Sequence, residues 1–164
     1  MTEPCFRIAL AQINTVVGDL PGNRRRITEK MAAAAEEGCD LIAFPELALS
    51  GYPPEDLLLR RQFVADQREQ LQAVAAESGE CLAIVGFVDE LQGRLFNAAA
   101  VLQRGQPLRK THKSLLPTYD VFDEDRYFEP AKSVAPIEIA GVKFGVTICE
   151  DIWAWPESKS AKRP

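Results

Sequence analysis

Short apolar runs of strand length, separated by two longer stretches with helical spacing, restrict this chain to an α/β fold. Phe6 to Asn14 alternates and predicts a strand, which Gly18 and Pro21-Gly22 bring to an end. A helical stretch follows from Asn23 to Glu37, with Asn23 as its N-cap and Gly38 as its stop. Cys39 to Phe44 is a short apolar strand that runs straight into Pro45-Glu46. Beyond the proline-rich loop Gly51-Tyr52-Pro53-Pro54, residues Glu55 to Ser78 set Leu58, Phe63, Leu71 and Val74 among charges, which predicts helix, in one or two pieces, ended by Gly79. Leu82 to Val88 reads as a buried strand. Leu95 to Gln103 and Leu108 to Thr111 form a hairpin around Arg104-Gly105-Gln106, and Ile137 to Ile139 and Val142 to Ile148 flank a turn at Ala140-Gly141. Between these pairs lies a polar loop, His112 to Ser133, with an acidic patch at Asp120, Asp123, Glu124 and Asp125.

The composition excludes several classes. In 164 residues, 46% hydrophobic and 26% charged side chains are enough to build a core, so neither disorder nor a collagen-like repeat is expected. The net charge is −5 and the longest basic run is Arg24-Arg25-Arg26, which argues against a surface that neutralises phosphates; no nucleic acid partner is expected. Residues 1–7 lack a basic segment followed by an apolar one, and no apolar run approaches the roughly 20 residues of a membrane span. A cytoplasmic protein without a membrane partner is the expectation. Cys5, Cys39, Cys81 and Cys149 are widely spaced and there is one histidine, so no metal site and no disulfide framework is predicted.

Three predicted strands end on side chains with chemistry to offer. Val142, Phe144, Val146 and Ile148 share one face of a strand and Lys143, Gly145, Thr147 and Cys149 the other, so a thiol comes at the strand's end. Glu150-Asp151 after it suits the first turn of a helix, whose N–H groups lower a thiol's pKa or bind an oxyanion. Cys5, Cys39 and Cys81 lie in or beside apolar strands and read as small core residues. His112 is the obvious base for a thiol, yet its place between Thr111 and Lys113 gives it no special claim. Glu46, where an apolar strand meets a stiffening proline, is the better candidate. Lys113 is a cation that would stabilise a thiolate or the anion formed on its attack. Spacing alone does not select this trio from the other acids and lysines of the chain.

Phe44-Pro45-Glu46-Leu47 with Ser50-Gly51-Tyr52-Pro53, then His112-Lys113-Ser114-Leu115-Leu116-Pro117, then Gly145-Val146-Thr147-Ile148-Cys149-Glu150-Asp151-Ile152-Trp153 resemble, in order, the three catalytic blocks of the nitrilase (carbon-nitrogen hydrolase) superfamily. More narrowly, Gly51-Tyr52-Pro53-Pro54-Glu55-Asp56-Leu57-Leu58 and the segment from Leu116 to Phe128 resemble the glutaminase domain of bacterial glutamine-dependent NAD synthetases. The resemblance runs from Phe6 to Trp155 and places a partial glutaminase domain at 1–155, with 156–164 a tail unlike the family.

The resemblance implies a nitrilase-like αββα sandwich, of which this chain holds about the first half. It makes Cys149 the nucleophile, Glu46 the general base and acid, and Lys113 the oxyanion partner; Glu124 would brace the lysine, and Tyr119 and Glu150 would contact substrate. Glutamine is the implied substrate and a homo-oligomer the implied assembly. No cofactor is implied for the glutaminase step; ATP and Mg belong to a synthetase domain of the parent enzyme. The loops of that domain, Ser-Gly-Gly-x-Asp-Ser or a Walker-type glycine loop, are not in this sequence. Two alternatives stay open: a stand-alone amidase or carbamoylase of the superfamily, and an inactive fragment that acts only by association through its open sheet edges.

Overall fold

The structure, a computed structural model, describes residues 6–133, 135–139 and 141–153. The expected tail at 156–164, the Ala140 half of the last turn and Cys5 lie outside the described residues. Five strands form one sheet in the order β1 (Ile8–Leu10), β2 (Leu41–Ala43), β3 (Leu82–Leu91), β4 (Arg94–Gln103) and β5 (Gln106–His112). The first three are parallel, and β4 and β5 are added antiparallel through hairpins. Parallel pairing needs crossovers, which α1 (Leu20–Glu36) and the helical stretch ending in α2 (Arg61–Ala76) supply.

Both helices cover the same face of the sheet. α1 buries Ile27, Met31 and Ala34, and α2 buries Val64, Gln67, Leu71 and Val74, each at three- to four-residue spacing. Ile27, Met31, Ala34, Leu71 and Val74 meet Ala83, Val85 and Phe87 of β3 and Ala98, Ala100 and Leu102 of β4 in one cluster, with the half-buried Cys39 and Cys81 against it. The opposite face is covered by a two-stranded ribbon, β6 (Ile137–Ile139) and β7 (Val142–Phe144). Ile137 and Val146 pack there on Leu41, Leu82 and Val101. Helices, sheet and a ribbon on the far face make an α/β molecule carrying part of an αββα sandwich.

Several sequence expectations need correction. The first strand pairs only over Ile8–Leu10, with further bonds from the Ala11 N–H to the Ala43 oxygen and from the Asp40 and Leu41 N–H groups to the Arg7 oxygen. α1 starts at Leu20, earlier than Asn23: Asp19 is the cap and accepts the Gly22 N–H at 3.0 Å, and Pro21 falls in the first turn, where its missing N–H costs nothing. Asn23 is instead fully buried, bonding Val16 through both its backbone groups and the Leu49 oxygen. Gly38 does stop the helix, at φ +67°. The Glu55 to Ser78 stretch divides into a 3-10 turn, Glu55–Leu59, and α2. Pairing in the last predicted strand ends at Phe144, although buried and exposed residues keep alternating through Ile148.

Candidate active site

Glu46 owes its place to a glycine. The chain leaving β2 turns back across β3 at Pro45, Glu46 and Leu47, close enough that a Cβ on Gly86 would lie 2.4 Å from the Leu47 nitrogen and 2.5 Å from the Pro45 oxygen. Leu47 is wholly buried with φ +49°, and the Leu49 N–H donates to the Gly86 oxygen at 3.0 Å, so the turn is pinned to the sheet. The carboxylate between these anchors is 18% exposed.

Lys113 leaves β5 with its N–H bonded to the Asn97 oxygen at 2.8 Å and its side chain fully buried. Its ammonium lies 2.7 Å from Glu46 Oε1 and 2.9 Å from both oxygens of Glu124. Burial pushes the ammonium down, but the hydrogen bonds it donates to Glu46 and Glu124 outweigh that, and the lysine is held charged above its ordinary range. Glu124 sits in the 3-10 turn Glu124–Arg126, and accepts Tyr52 Oη at 3.0 Å and Asn97 Nδ2 at 3.3 Å. Burial raises the Glu124 carboxyl and the neighbouring Glu46 charge adds to that, while the Lys113 bond holds it back. Burial, with Glu124 beside it, also keeps the Tyr52 hydroxyl protonated.

Cys149 is exposed, has φ +49° and opens a 3-10 turn, Cys149–Trp153, in place of the expected α-helix start. Asp151 fastens that turn: its carboxylate accepts the N–H groups of Ile148 at 3.2 Å and of Ser114 and Leu115 at 2.9 Å each. Cys149 and Glu46 line one cleft of about 270 Å³, with Phe44 and Gly145 to Ile148. The expected lowering of the thiol pKa does not prevail. Burial and the Glu46 charge push it up, against the weaker pull of Lys113 and the Glu150 N–H. A thiol held protonated needs a base, and a carboxylate shares its cleft.

The remaining sequence candidates fall into two groups. Tyr119 Oη donates to Glu150 Oε2 at 2.7 Å, beside the Cys149 turn but outside the lining of that cleft. His112 is turned to other partners: Nε2 lies 2.9 Å from Asp89 Oδ2 and its ring stacks on Phe96 at 4.4 Å. Three residues of the cluster are not predicted from sequence as site residues. Tyr52 stands within the loop motif and Asp151 within the block that holds Cys149, neither with a role of its own, whereas Asn97 has a usable signal, a polar residue inside an apolar strand. Among the described residues no group of three or more His, Cys, Asp or Glu stands together as metal ligands, and no helix is long and apolar enough to cross a membrane.

This constellation on an α/β sandwich defines a class. The family model for carbon-nitrogen hydrolases matches residues 7–160, and the chain belongs to that family. Among its relatives is the glutamine-dependent NAD(+) synthetase of Thermotoga maritima, 44% identical over 150 residues, covering 90% of this chain and 26% of that protein. The enzyme of the same name from Xanthomonas campestris is 43% identical over 166 residues, covering 99% of this chain and 30% of that protein. The solved structure of glutamine-dependent NAD+ synthetase from Acinetobacter baumannii superposes with a TM-score of 0.86 at 41% identity, over 91% of this chain and 28% of that one. An amidase from Nesterenkonia sp., at 24% identity and a TM-score of 0.76 over 90% of this chain and 56% of that one, shares the fold. The chain thus spans less than a third of the length of these synthetases.

Proposed function

We propose that the chain is the glutamine-hydrolysing portion of a glutamine-dependent NAD synthetase. The observation that carries this reading is the Lys113 ammonium, without solvent exposure, clasped between Glu46 and Glu124 beside the cleft that Glu46 shares with Cys149. The relatives' common name supports glutamine as the substrate.

In the proposed reaction the Glu46 carboxylate takes the proton from Cys149 Sγ as the sulfur attacks the side-chain amide carbon of glutamine. The carbonyl becomes an oxyanion, offset by the Lys113 ammonium and by N–H groups of the Cys149 turn. When the C–N bond breaks, Glu46 returns its proton to the nitrogen, and ammonia departs from a thioester. Glu46 next takes a proton from water, hydroxide attacks the thioester carbon, and the sulfur leaves as a thiol on receiving that proton, releasing glutamate. Glu124 braces the lysine. The Tyr119–Glu150 pair, a carboxylate beside a ring, suits the α-ammonium of glutamine.

No cofactor takes part in these steps. In the parent enzyme the ammonia would feed amidation of a nicotinate adenine dinucleotide in a synthetase domain that uses ATP and Mg, within a homo-oligomer in the cytoplasm. Incubation of the chain, and of the longer protein that carries it, with glutamine tests the proposal through glutamate release. Glutamate that vanishes on Cys149→Ala supports it. Rapid hydrolysis of another amide with glutamine untouched would transfer the reading to a stand-alone amidase or carbamoylase.

A further inference from the structure

Asn97 stands in β4 opposite Val88 of β3 and is 1% exposed. Its Nδ2 lies 2.6 Å from Glu46 Oε1 and 3.3 Å from Glu124 Oε2, and its backbone oxygen holds the Lys113 N–H. One side chain and its own peptide therefore touch all three members of the buried charge cluster. Its Oδ1 is buried without a hydrogen-bond partner among the described residues. The network dictates which end of such an amide is nitrogen, and two facing carboxylates admit only the donor.

An orphaned buried carbonyl is a cost that leucine at this position would avoid. What the amide supplies in return is a pair of N–H donors that carry no charge. Glu46 and Glu124 already share one ammonium, so a second cation here would fully neutralise the base, and an aspartate would repel both carboxylates. Asn97 and Lys113 together occupy Glu46 Oε1, at 2.6 and 2.7 Å, which leaves Oε2 for the cleft.

We propose that Asn97 is a positioning residue that fixes the Glu46 carboxylate in the orientation for taking the Cys149 proton. The proposal rests on the Glu46–Lys113–Cys149 reading above and gives the neutral amide a task distinct from that of the lysine: Lys113 supplies charge, and Asn97 supplies direction.

The test uses Asn97→Leu, close in shape but without a donor, and Asn97→Ser, too short to reach Glu46, which serves if leucine does not fold. Glutamine turnover should show kcat lowered about 100-fold, the scale of a misplaced catalytic group, with KM within about twofold, because Asn97 is not a substrate contact. Alkylation of Cys149 by iodoacetamide near pH 7 reads the base independently of the natural substrate and should slow by up to about 100-fold, the low end of what a positioned base contributes. In a Glu46→Gln background the Asn97 substitution should slow alkylation no further, since both changes remove one function. Equal slowing in both backgrounds, or parent-like alkylation in Asn97→Leu, would overturn the proposal. Loss of alkylation as expected in a chain that never hydrolyses glutamine would leave Asn97 in place and remove the glutaminase reading instead.

Discussion

Asp151 accepts the N–H groups of Ser114 and Leu115 at 2.9 Å each across more than thirty residues of chain, and so ties the turn that carries Cys149 to the segment that follows Lys113. The same carboxylate accepts the Ile148 N–H at 3.2 Å. Nucleophile and cation thus share one fastening. Asp151→Ala should lower the unfolding free energy by about 2 kcal/mol, the scale of backbone donors left unpaired by loss of a charged acceptor. Glutamine turnover should fall with it, and Asp151→Asn, which keeps one acceptor oxygen, should lose less of both. Denaturant melts and initial rates on the two variants check this, and an Asp151→Ala chain as stable and active as the parent would contradict it.

His112 should prove dispensable for chemistry. Its contacts are Asp89 and Phe96, so His112→Ala should keep turnover within about tenfold, whereas Glu46→Gln and Cys149→Ala should each lose about 1,000-fold or more, as removal of a positioned base or a nucleophile does. Rates measured side by side decide the matter. A His112→Ala variant as inactive as Cys149→Ala would restore the Cys–His pairing.

Asp89 gives that cluster a pH signature. Burial alone would raise its carboxyl, but hydrogen bonds from His112 and Lys110 prevail and hold it below the usual carboxylate range. An acid whose folded value is depressed stabilises the fold above its unfolded value of about 3.9 and ceases to do so as pH falls through the lower folded value. Thermal melts should therefore drop more steeply below about pH 4 in the parent than in Asp89→Asn. Parallel curves for the two proteins would show that Asp89 is not the group responsible.

Glu46, Lys113 and Cys149 stand out in the sequence because each sits in a run of specific neighbours; periodicity alone gives the α/β class, and the αββα sandwich comes from the family resemblance. What could not be read was set by tertiary contact. Asn23 has the composition of a cap, but the cap is Asp19, because a proline in the first turn does not break a helix. Asn97 bears on Glu46 only because β4 lies between β3 and β5, which brings together residues 51 apart in sequence. The upward shift of the Cys149 thiol is hidden from the sequence for the same reason: burial, its larger cause, and the Glu46 charge, which arrives from a distant strand, both depend on tertiary contact.

Access and a neighbouring base, not a lowered pKa, set Cys149 apart from the other described thiols. Cys39 and Cys81 are half-buried in the helix-side core, and burial pushes Cys81 up as it does Cys149. One equivalent of iodoacetamide at about pH 8 should label Cys149 first, well ahead of the slow reaction at Cys39 and Cys81. Peptide mapping reads all four cysteines at once. Preferential labelling elsewhere would remove Cys149 from the site.

Gly86 gives the most direct test of how the fold positions the base. A Cβ there would meet the Leu47 nitrogen at 2.4 Å and the Pro45 oxygen at 2.5 Å, both backbone atoms that no rotamer change can clear. Gly86→Ala must then lift the Pro45–Leu47 turn from β3, and overpacking of this kind costs about 1–3 kcal/mol. The catalytic loss should exceed the loss of stability, because the lifted segment carries Glu46 away from Lys113 and the cleft. At a temperature where Gly86→Ala is still fully folded by circular dichroism, kcat should fall by about 100-fold. Substitution of Gly93, whose Cβ would meet nothing within 4 Å, serves as the control: its own φ of +76° adds strain in a distant hairpin without touching the Glu46 turn, so stability should fall while kcat does not. If Gly86→Ala turned over like the parent, the Gly86 contact would not be what sets the carboxylate.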